Sequence, residues 1–331
     1  MTAEMKKDKF ASRPERKRCW DRYRHTLRMA YRIRGWETAD VDTTIPEVFD
    51  TQMSPEELST VLLAGLRERL EKSKLAKTLL KEPKFRYMQL NGRDVVLPLC
   101  NTQGVEWYQD SPIANYDFVN EDALGLHTNA KVIYDFGGHH GVWALYYATV
   151  VGQVGRVYSF EPSLINIEMS AMLMLVNGID NVINVAGAIG AQKSGDSSSD
   201  MLIDFVENDQ IEIVSVRDCC WDYADFVKMD IEGFEYEILT ANPWIFDMAD
   251  NLHLEIHIPH LERRGLDYRR IMDVIPFHEF DVFNHVHENP VGAETELSGF
   301  CSLMLKRREP SGLAALSNSE TESSPREKAI A

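Results

Sequence analysis

Residues 131–147, KVIYDFGGHHGVWALYY, decide how the rest of the chain is interpreted. A short apolar run at positions 132–134 ends in Asp135, and Gly137, Gly138 and Gly141 follow it at once. Helical spacing then begins, carried by Val142, Trp143, Leu145 and Tyr146. This order predicts a buried strand, a tight glycine turn and the start of a helix. Such a unit lets a backbone approach a nucleotide-like ligand closely.

A second strand is predicted at residues 155–160, GRVYSF, and it ends in Glu161 and Pro162. A carboxylate there can accept both hydroxyls of a ribose, and it stands about 20 residues beyond the glycines, the spacing expected of such a unit. Phe136 occupies the place of a dinucleotide-motif glycine, which disfavours a pyrophosphate cradle. Asp135 suits a ligand with a positive end. A ribose beside a cationic group describes S-adenosylmethionine.

Composition bounds the class of protein. The 331 residues are 44% hydrophobic, enough for one substantial core with an appendage. The five cysteines are odd in number and lack C-x-x-C spacing, which favours a reduced, intracellular chain. No apolar run reaches the roughly 18 to 20 residues of a membrane span, and the N-terminus has no apolar signal region. We therefore expect a soluble, cytoplasmic protein.

The charge is distributed unevenly along the chain. The net charge is -17, while residues 1–36 carry a balance of +8, which leaves -25 for the remainder. An acidic body argues against general nucleic-acid binding, because it repels the phosphate backbone. Residues 15–34 are basic and carry an aromatic stripe at helical spacing. The stripe either contacts an anionic inner membrane surface or a protein partner, or packs on the acidic body, and the last interpretation is favoured.

Two local signals organise the chain before the central unit. Ser54, Pro55 and Glu57 form a capping box that starts a helix, and Leu75 and Leu79 are expected to continue its apolar face. Asn91 and Gly92 separate two apolar stretches and predict a β-hairpin.

A second focus lies at residues 225–235, DFVKMDIEGFE. Its strand ends in carboxylates at the sheet edge that also holds Asp135 and Glu161, where open parallel sheets bind ligands. Lys228 is expected to alternate to the other face. The next strand, residues 252–257, places His253, Glu255 and His257 on one face. Further strands are predicted at residues 181–185, 211–216, 280–286 and 298–305.

These residues resemble a known family. YDFGGHHG, SFEP, Asn177, VKMDIEGFEYEIL and LEIH stand in the order and spacing of the FkbM family of S-adenosylmethionine-dependent methyltransferases, over residues 117–307. The resemblance implies an α/β class I methyltransferase fold, Rossmann-like, with a seven-stranded, mostly parallel sheet whose last strand is antiparallel. It also implies O-methylation of a hydroxyl, often on a sugar or polyketide. The chain departs from the family pattern at Gly138, His139 and His140.

The expected division of the chain follows. Residues 1–84 form a basic head and an α-helical extension, residues 85–308 form a methyltransferase domain that begins with the hairpin, and residues 309–331 form a disordered tail. The methionine, ribose and adenine ends of the cofactor are assigned to Asp135, to Glu161 and to the backbone near Ala188, respectively. The candidate cofactor-binding residues are Asp135, Gly137, Gly138, His139, Gly141, Glu161, Pro162 and Ala188.

Methyl transfer to a hydroxyl is an in-line displacement, which needs two aligned ligands and a general base. Asp230, His257 and His139 are the alternatives for the base, and Glu232 is grouped with Asp230 and His257 as a catalytic candidate. Asp230, Glu255 and His257 could also hold a divalent metal such as Mg²⁺ that lowers the pKa of the hydroxyl. The acceptor, a glycan or similar natural product, is expected near His285, His287 and Glu288.

Two other classes of function stay open. An NAD-dependent oxidoreductase shares the acidic ribose contact, although Phe136 and the VKMDIEGFE segment argue against it. A non-catalytic scaffold could retain the fold and bind a partner or membrane through its basic helix, and His139 and His140 are the reason to consider it.

Overall fold

A computed structural model describes residues 13–33, 35, 41–42, 53–71, 73–109, 130–191, 213–220, 222–284 and 289–308. Two predictions lie outside these residues: the tail at 309–331, and the acceptor site at His285, His287 and Glu288. Within the described ranges, no helix has both the length and the apolar character that crossing a membrane requires.

Strands and helices alternate after residue 130, as expected for a parallel sheet covered by helices. The helices are α1 (Arg13–Ile33), α2 (Pro55–Arg69), α3 (Thr102–Tyr108), α4 (Val142–Val151), α5 (Leu164–Val176), α6 (Val216–Cys219), α7 (Glu235–Ala241), α8 (Ile258–Arg263) and α9 (Arg269–Val274), with 3-10 turns at Lys74–Thr78 and Pro243–Met248. The strands are β1 (Leu79–Leu90), β2 (Arg93–Asn101), β3 (Val132–Phe136), β4 (Arg156–Glu161), β5 (Val182–Ala186), β6 (Ala188–Gly190), β7 (Ile213–Ser215), β8 (Ala224–Met229), β9 (Ala249–His257), β10 (Phe280–Asn284) and β11 (Phe300–Arg307).

The central sheet has seven strands in the order β10-β11-β9-β8-β3-β4-β5. The pairs β3-β4, β4-β5, β3-β8 and β8-β9 are parallel, and β11 is antiparallel to both of its neighbours. Within this sheet, the first strand in chain order is β3. The chain then passes through β4 to β5 at one edge and returns to β8, on the other side of β3. This is the class I methyltransferase sheet that the sequence predicts. Its ligand crevice is expected at the carboxyl ends of β3, β4 and β8.

The two faces of the sheet bury separate apolar sets because side chains alternate along each strand. Tyr134 and Phe136 point into one cluster with Phe160, and Ile133 points into the other with Val157. Each such side chain contributes about 1.5–3 kcal/mol when it is fully buried. The two-sided burial fixes the register of β3 and therefore the place where its glycine turn begins.

The N-terminal helix α1 packs its aromatic stripe on α5. Trp20, Tyr23 and Tyr31 are at most 2% exposed and share a cluster with the apolar side chains of α5. Outside the stripe, an arginine of α1 binds the acidic body, since Arg18 Nε donates to Asp180 at 2.7 Å. The favoured interpretation of the stripe is therefore confirmed. Contact of the remaining basic side chains with a membrane or a protein stays a prediction.

A buried ion pair ties the extension to α5. Arg69, the last residue of α2, donates through Nε to Glu168 Oε1 at 3.0 Å and through a second nitrogen to the other oxygen. Tyr31 of α1 also donates to Glu168. Both charged side chains are at most 1% exposed. Three elements therefore meet at one buried carboxylate.

The local signals of the extension hold in part. The capping box at Ser54 and Glu57 is formed, and the hairpin turns at Asn91 and Gly92. The expectation that Leu75 and Leu79 continue α2 is wrong, because the helix ends at Arg69 and β1 begins at Leu79. The hairpin thus starts before residue 85, and the proposed domain limits stay a prediction.

Candidate functional site

The glycine turn after β3 packs closely against the backbone that follows β8. Gly137 and Gly141 have φ of +84° and +79°, a left-handed conformation that favours glycine. A Cβ on Gly137 would lie 1.8 Å from the backbone oxygen of Asp230, and one on Gly141 would lie 2.2 Å from Ser170 Oγ. Contacts within the protein alone therefore require these glycines. Their predicted approach to a cofactor stays a prediction.

Glu161 ends β4 as a buried hydrogen-bond acceptor. Its Oε2 accepts from the backbone N–H of His139 at 2.8 Å, and its Oε1 accepts from the backbone N–H of Ser163 at 2.8 Å and from Asn166 Nδ2 at 3.3 Å. Burial raises the pKa of Glu161 to about 7, although these hydrogen bonds act to lower it. A carboxylate has about four acceptor sites, so Oε2 retains capacity for a ligand hydroxyl.

Asp135 is fully buried at the end of β3 and is held by protein groups. It accepts from Ser159 Oγ at 2.9 Å, and its Oδ1 lies 3.5 Å from Lys228 Nζ. Burial raises the pKa of Asp135, and the charge of Lys228 opposes that effect. The predicted contact of Asp135 with the positive end of the cofactor would have to be made beside this lysine.

Lys228 lies on the same side as the carboxylates, so the expectation that it alternates to the other face is wrong. Its Nζ donates to the Gly137 backbone oxygen at 2.9 Å and lies 3.4 Å from Asp230 Oδ2. The reason is the period of a strand: residues 228 and 230 are two positions apart and share a face. The long aliphatic stem then brings the buried ammonium to the sheet edge.

His257, at the end of β9, is oriented by a buried glutamate. Its Nδ1 donates to Glu235 Oε1 at 3.1 Å, and Glu235 is fully buried. The same oxygen accepts from the backbone N–H of Ile231 at 2.9 Å. Nε2 of His257 therefore faces the site, where it lies 3.5 Å from Asp230 Oδ1 and 3.5 Å from Glu232 Oε2.

The charges of this cluster are coupled. Burial acts to lower the pKa of His257, but Glu235 together with Asp230 and Glu232 outweighs it and raises that pKa to about 9. Burial likewise acts to raise the pKa of Asp230, but Lys228 and His257 hold it below its ordinary value. At neutral pH the proton of the pair therefore sits on the imidazole, and Asp230 is ionised.

Glu255 completes the predicted metal set. One ligand atom from each of Asp230, Glu255 and His257 lies within 4.8 Å of the other two. Burial, followed by the charge of Asp230, raises the pKa of Glu255 to about 7. The predicted ligands are thus brought together in space.

His139 and His140 stack on each other in the glycine turn, with ring centroids 4.1 Å apart. The chain segment before the central unit covers them. Tyr108 Oη lies 2.9 Å from His139 Nδ1, and Trp107 lies against the same ring at 5.0 Å between centroids. Asn101 approaches His140 from the same segment, with 3.4 Å between Nδ2 and Nε2.

The other predicted contacts lie beside these groups. Pro162 follows Glu161 directly, Gly138 lies between β3 and β4, and Ala188 begins β6, where it pairs with Ile213. Their roles toward a cofactor stay predictions.

Sequence spacing predicts neither the contact of Glu235 with His257 nor that of Tyr108 with His139. Glu235 lies within the VKMDIEGFE segment, yet its partner stands 22 positions further along the chain. Tyr108 is 31 positions from His139. Neither distance leaves a periodic signal. For Lys228, the two-residue spacing from Asp230 does indicate that the two side chains share a face.

The strand order of the central sheet is that of the class I methyltransferase fold. Residues 135–282 match the methyltransferase FkbM domain, which confirms the resemblance for this segment. The chain is therefore similar to this family over the segment that runs from the end of β3 through β4 and β8. Among curated proteins, none matches the chain.

Solved structures show distant likenesses. A methyltransferase FkbM from Methylobacillus flagellatus KT is 18% identical with a TM-score of 0.38, over 54% of this chain and 44% of that one, so less than half of its length is matched. Aeropyrum pernix fibrillarin, solved with S-adenosyl-L-methionine, is 14% identical with a TM-score of 0.36, over 67% of this chain and 82% of that one. A Bacillus cereus O-methyltransferase, solved with S-adenosylhomocysteine, is 13% identical with a TM-score of 0.32, over 55% and 76% of the chains.

Proposed function

We propose that this chain transfers the methyl group of S-adenosylmethionine to a hydroxyl of a sugar, a glycan or a similar natural product. The observation that carries the proposal is the ionised Asp230 within 3.5 Å of His257 Nε2, at the edge where Glu161 offers its carboxylate. A proton acceptor and a ribose acceptor then serve two ligands at one crevice. S-adenosylmethionine supplies an electrophilic methyl group when it is bound.

Of the alternatives for the base, Asp230 is favoured. His257 already carries a proton at neutral pH because its pKa is raised to about 9, so it has no free lone pair for another. Asp230 is ionised and lies beside two positive groups, Lys228 and His257. The acceptor O–H bond breaks as the O–CH₃ bond forms, its proton passes to Asp230, and the electron pair of the broken C–S bond stays on sulfur.

The remaining residues near the site act on the pair formed by Asp230 and His257. Glu235 fixes the orientation of the His257 ring, and the Nε2–H of the imidazolium holds Asp230 ionised. Glu232 lies 3.4 Å from His260 Nδ1 and 3.5 Å from His257, and it adds negative charge at the mouth of the site. These are positioning roles.

The test is methyl transfer from a labelled donor to a panel of hydroxylated sugars and glycans. We expect Asp230→Asn to lower kcat by about 10²–10⁴-fold, the usual contribution of a general base, while binding of S-adenosylhomocysteine is retained. Asp250→Asn is the matched control, because Asp250 lies near the opposite end of the sheet, on β9. Full turnover by Asp230→Asn would refute the assignment of the base.

Binding titrations with S-adenosylhomocysteine and with NAD separate the other classes of function. An NAD-dependent oxidoreductase would bind NAD and ignore S-adenosylhomocysteine. A scaffold would bind neither, and its interactions would then be sought through the basic helix.

A divalent cation at Asp230, Glu255 and His257 is the second candidate feature of the site. In its favour, Glu235 holds Nδ1 of His257 and leaves Nε2 facing the two carboxylates, as in many metal-ligating histidines. Against it, Lys228 Nζ lies 3.4 Å from Asp230 Oδ2 and supplies positive charge there. Activity that is lost on treatment with EDTA and restored by Mg²⁺ would support the cation. Unchanged activity after EDTA would exclude it.

A further inference from the structure

We propose that His139 binds the carboxylate of the methionine moiety of S-adenosylmethionine through Nε2–H, and that Tyr108, from outside the matched domain, sets the tautomer that makes this possible. The inference rests on the cofactor role proposed above and adds a residue pair that contributes to it.

The backbone places His139 between the ribose and methionine ends of the crevice. Its N–H donates to Glu161 Oε2, so the residue borders the ribose acceptor. The charged groups that act on its imidazole are Asp230 and Lys228, which lie at the end of β8. The residue therefore lies in the glycine turn between Glu161, the ribose acceptor, and the end of β3, where Asp135 is assigned to the methionine end.

Tyr108 decides which ring nitrogen carries the proton. Burial lowers the pKa of His139 to about 4, so the imidazole is neutral, with one donor and one acceptor nitrogen. The Tyr108 hydroxyl lies 2.9 Å from Nδ1, and when it donates there the proton of the ring is on Nε2. Trp107 and His140 both lie against the ring, with centroids 5.0 Å and 4.1 Å from it, and limit its rotation.

Nε2 of His139 is buried and has no hydrogen-bond partner among the residues that the structure describes. A buried donor without a partner is costly, so a ligand that supplies an acceptor there is favoured. The ribose hydroxyls are assigned to Glu161, and the amino group and sulfonium are positive. The carboxylate is the acceptor of the cofactor nearest this end.

Charge explains why such a donor is needed. Asp135 and Asp230 form an acidic edge that would repel a carboxylate, and Lys228 offsets them while it is bound to the Gly137 oxygen. A neutral imidazole N–H adds a directed donor without another charge. We thus expect His139 to act on the carboxylate and not on the amino group.

Calorimetric titrations of the full chain with three probes test the proposal: S-adenosylhomocysteine, its decarboxylated analogue, and 5′-methylthioadenosine, which lacks the amino-acid end. His139→Asn suits the test because asparagine tolerates the positive φ of 47° found here. We expect this variant to bind S-adenosylhomocysteine about tenfold more weakly or worse, which is the effect of one hydrogen bond to a charged group. Its affinity for the other two probes should change by less than about twofold.

Tyr108→Phe should weaken binding of S-adenosylhomocysteine by about threefold to tenfold, because the tautomer of His139 is then no longer fixed. Tyr87→Phe is the matched control, since its hydroxyl, on the hairpin that precedes α3, binds Glu56 and not the glycine turn. It should bind all three probes like the wild type.

Equal losses for all three probes in His139→Asn would overturn the proposal, because the variant would then have disturbed the turn or the ribose contact. Unchanged binding of all three would also overturn it. Wild-type protein that binds no S-adenosylhomocysteine would refute the proposed function itself, whereas normal wild-type binding without the difference between probes would refute only the role of His139.

Discussion

Cofactor binding should release a proton from Glu161 and strengthen as the pH rises. Burial raises the pKa of this carboxyl to about 7 in the free protein, from an ordinary value of 4.5. Ribose hydroxyls donate to the ionised form and lower that pKa. One pH unit corresponds to about 1.4 kcal/mol, so affinity at pH 6 should be roughly tenfold weaker than its plateau above pH 8.

Glu161→Gln tests the same group by removing its charge. The amide has one acceptor oxygen, whereas the N–H groups of His139 and Ser163 approach the two oxygens of the native carboxylate. One backbone donor is then left facing the amide NH₂. Together with the lost charged hydrogen bond to ribose, this should cost about 1.5–3 kcal/mol, or roughly 10–150-fold in affinity.

The assay is calorimetric titration with S-adenosylhomocysteine at pH 6, 7 and 8, in two buffers that differ in ionisation enthalpy. The wild type should release about half a proton at pH 7, and the variant should bind weakly with little dependence on pH. Wild-type affinity that is constant from pH 6 to 8, or an equal pH dependence in the variant, would refute the assignment of the titrating carboxyl.

Three further predictions concern stability. Arg69→Met leaves the buried carboxylate of Glu168 without its charged partner, so the free energy of unfolding should fall by about 3–5 kcal/mol in a denaturant titration; a change below 1 kcal/mol would contradict the buried pair. Gly137→Ala should yield little folded protein, because its Cβ would meet the backbone of Asp230, and a normal melting temperature would count against that contact. Deletion of residues 1–34 should uncover the apolar side chains of α5 and increase binding of a hydrophobic dye, and no increase would contradict the packing of α1.

Elements specified by local chemistry are predictable from this sequence. The capping box at Ser54 and the turn at Asn91 each depend on a few adjacent residues, and both form as predicted. The seven-stranded, mostly parallel sheet with its antiparallel last strand could be predicted because the family resemblance implies it. The end of α2 could not, because nothing in the apolar spacing separates a continuing helix from the start of β1 at Leu79.

The site likewise has a part that is predictable from the sequence and a part that is not. The positions of Asp230 and His257 at one edge are predictable, since carboxyl ends of parallel strands meet there. Their protonation states depend on Glu235 and Lys228, whose positions follow from tertiary contacts and not from spacing alone. Without those two neighbours, either residue could be the base. With them, one is protonated and the other is ionised.

The two histidines in the glycine turn give the N-terminal segment a place in the site. A turn of small residues would have no side chain to reach the segment before the central unit, whereas His139 and His140 meet Tyr108 and Asn101. The segment 79–108 lies outside the matched domain, yet it contacts the loop whose backbone N–H binds Glu161. The imidazoles are therefore held in place by the end of β2 and by α3, and these two elements are joined through the imidazoles to the sheet edge at Glu161.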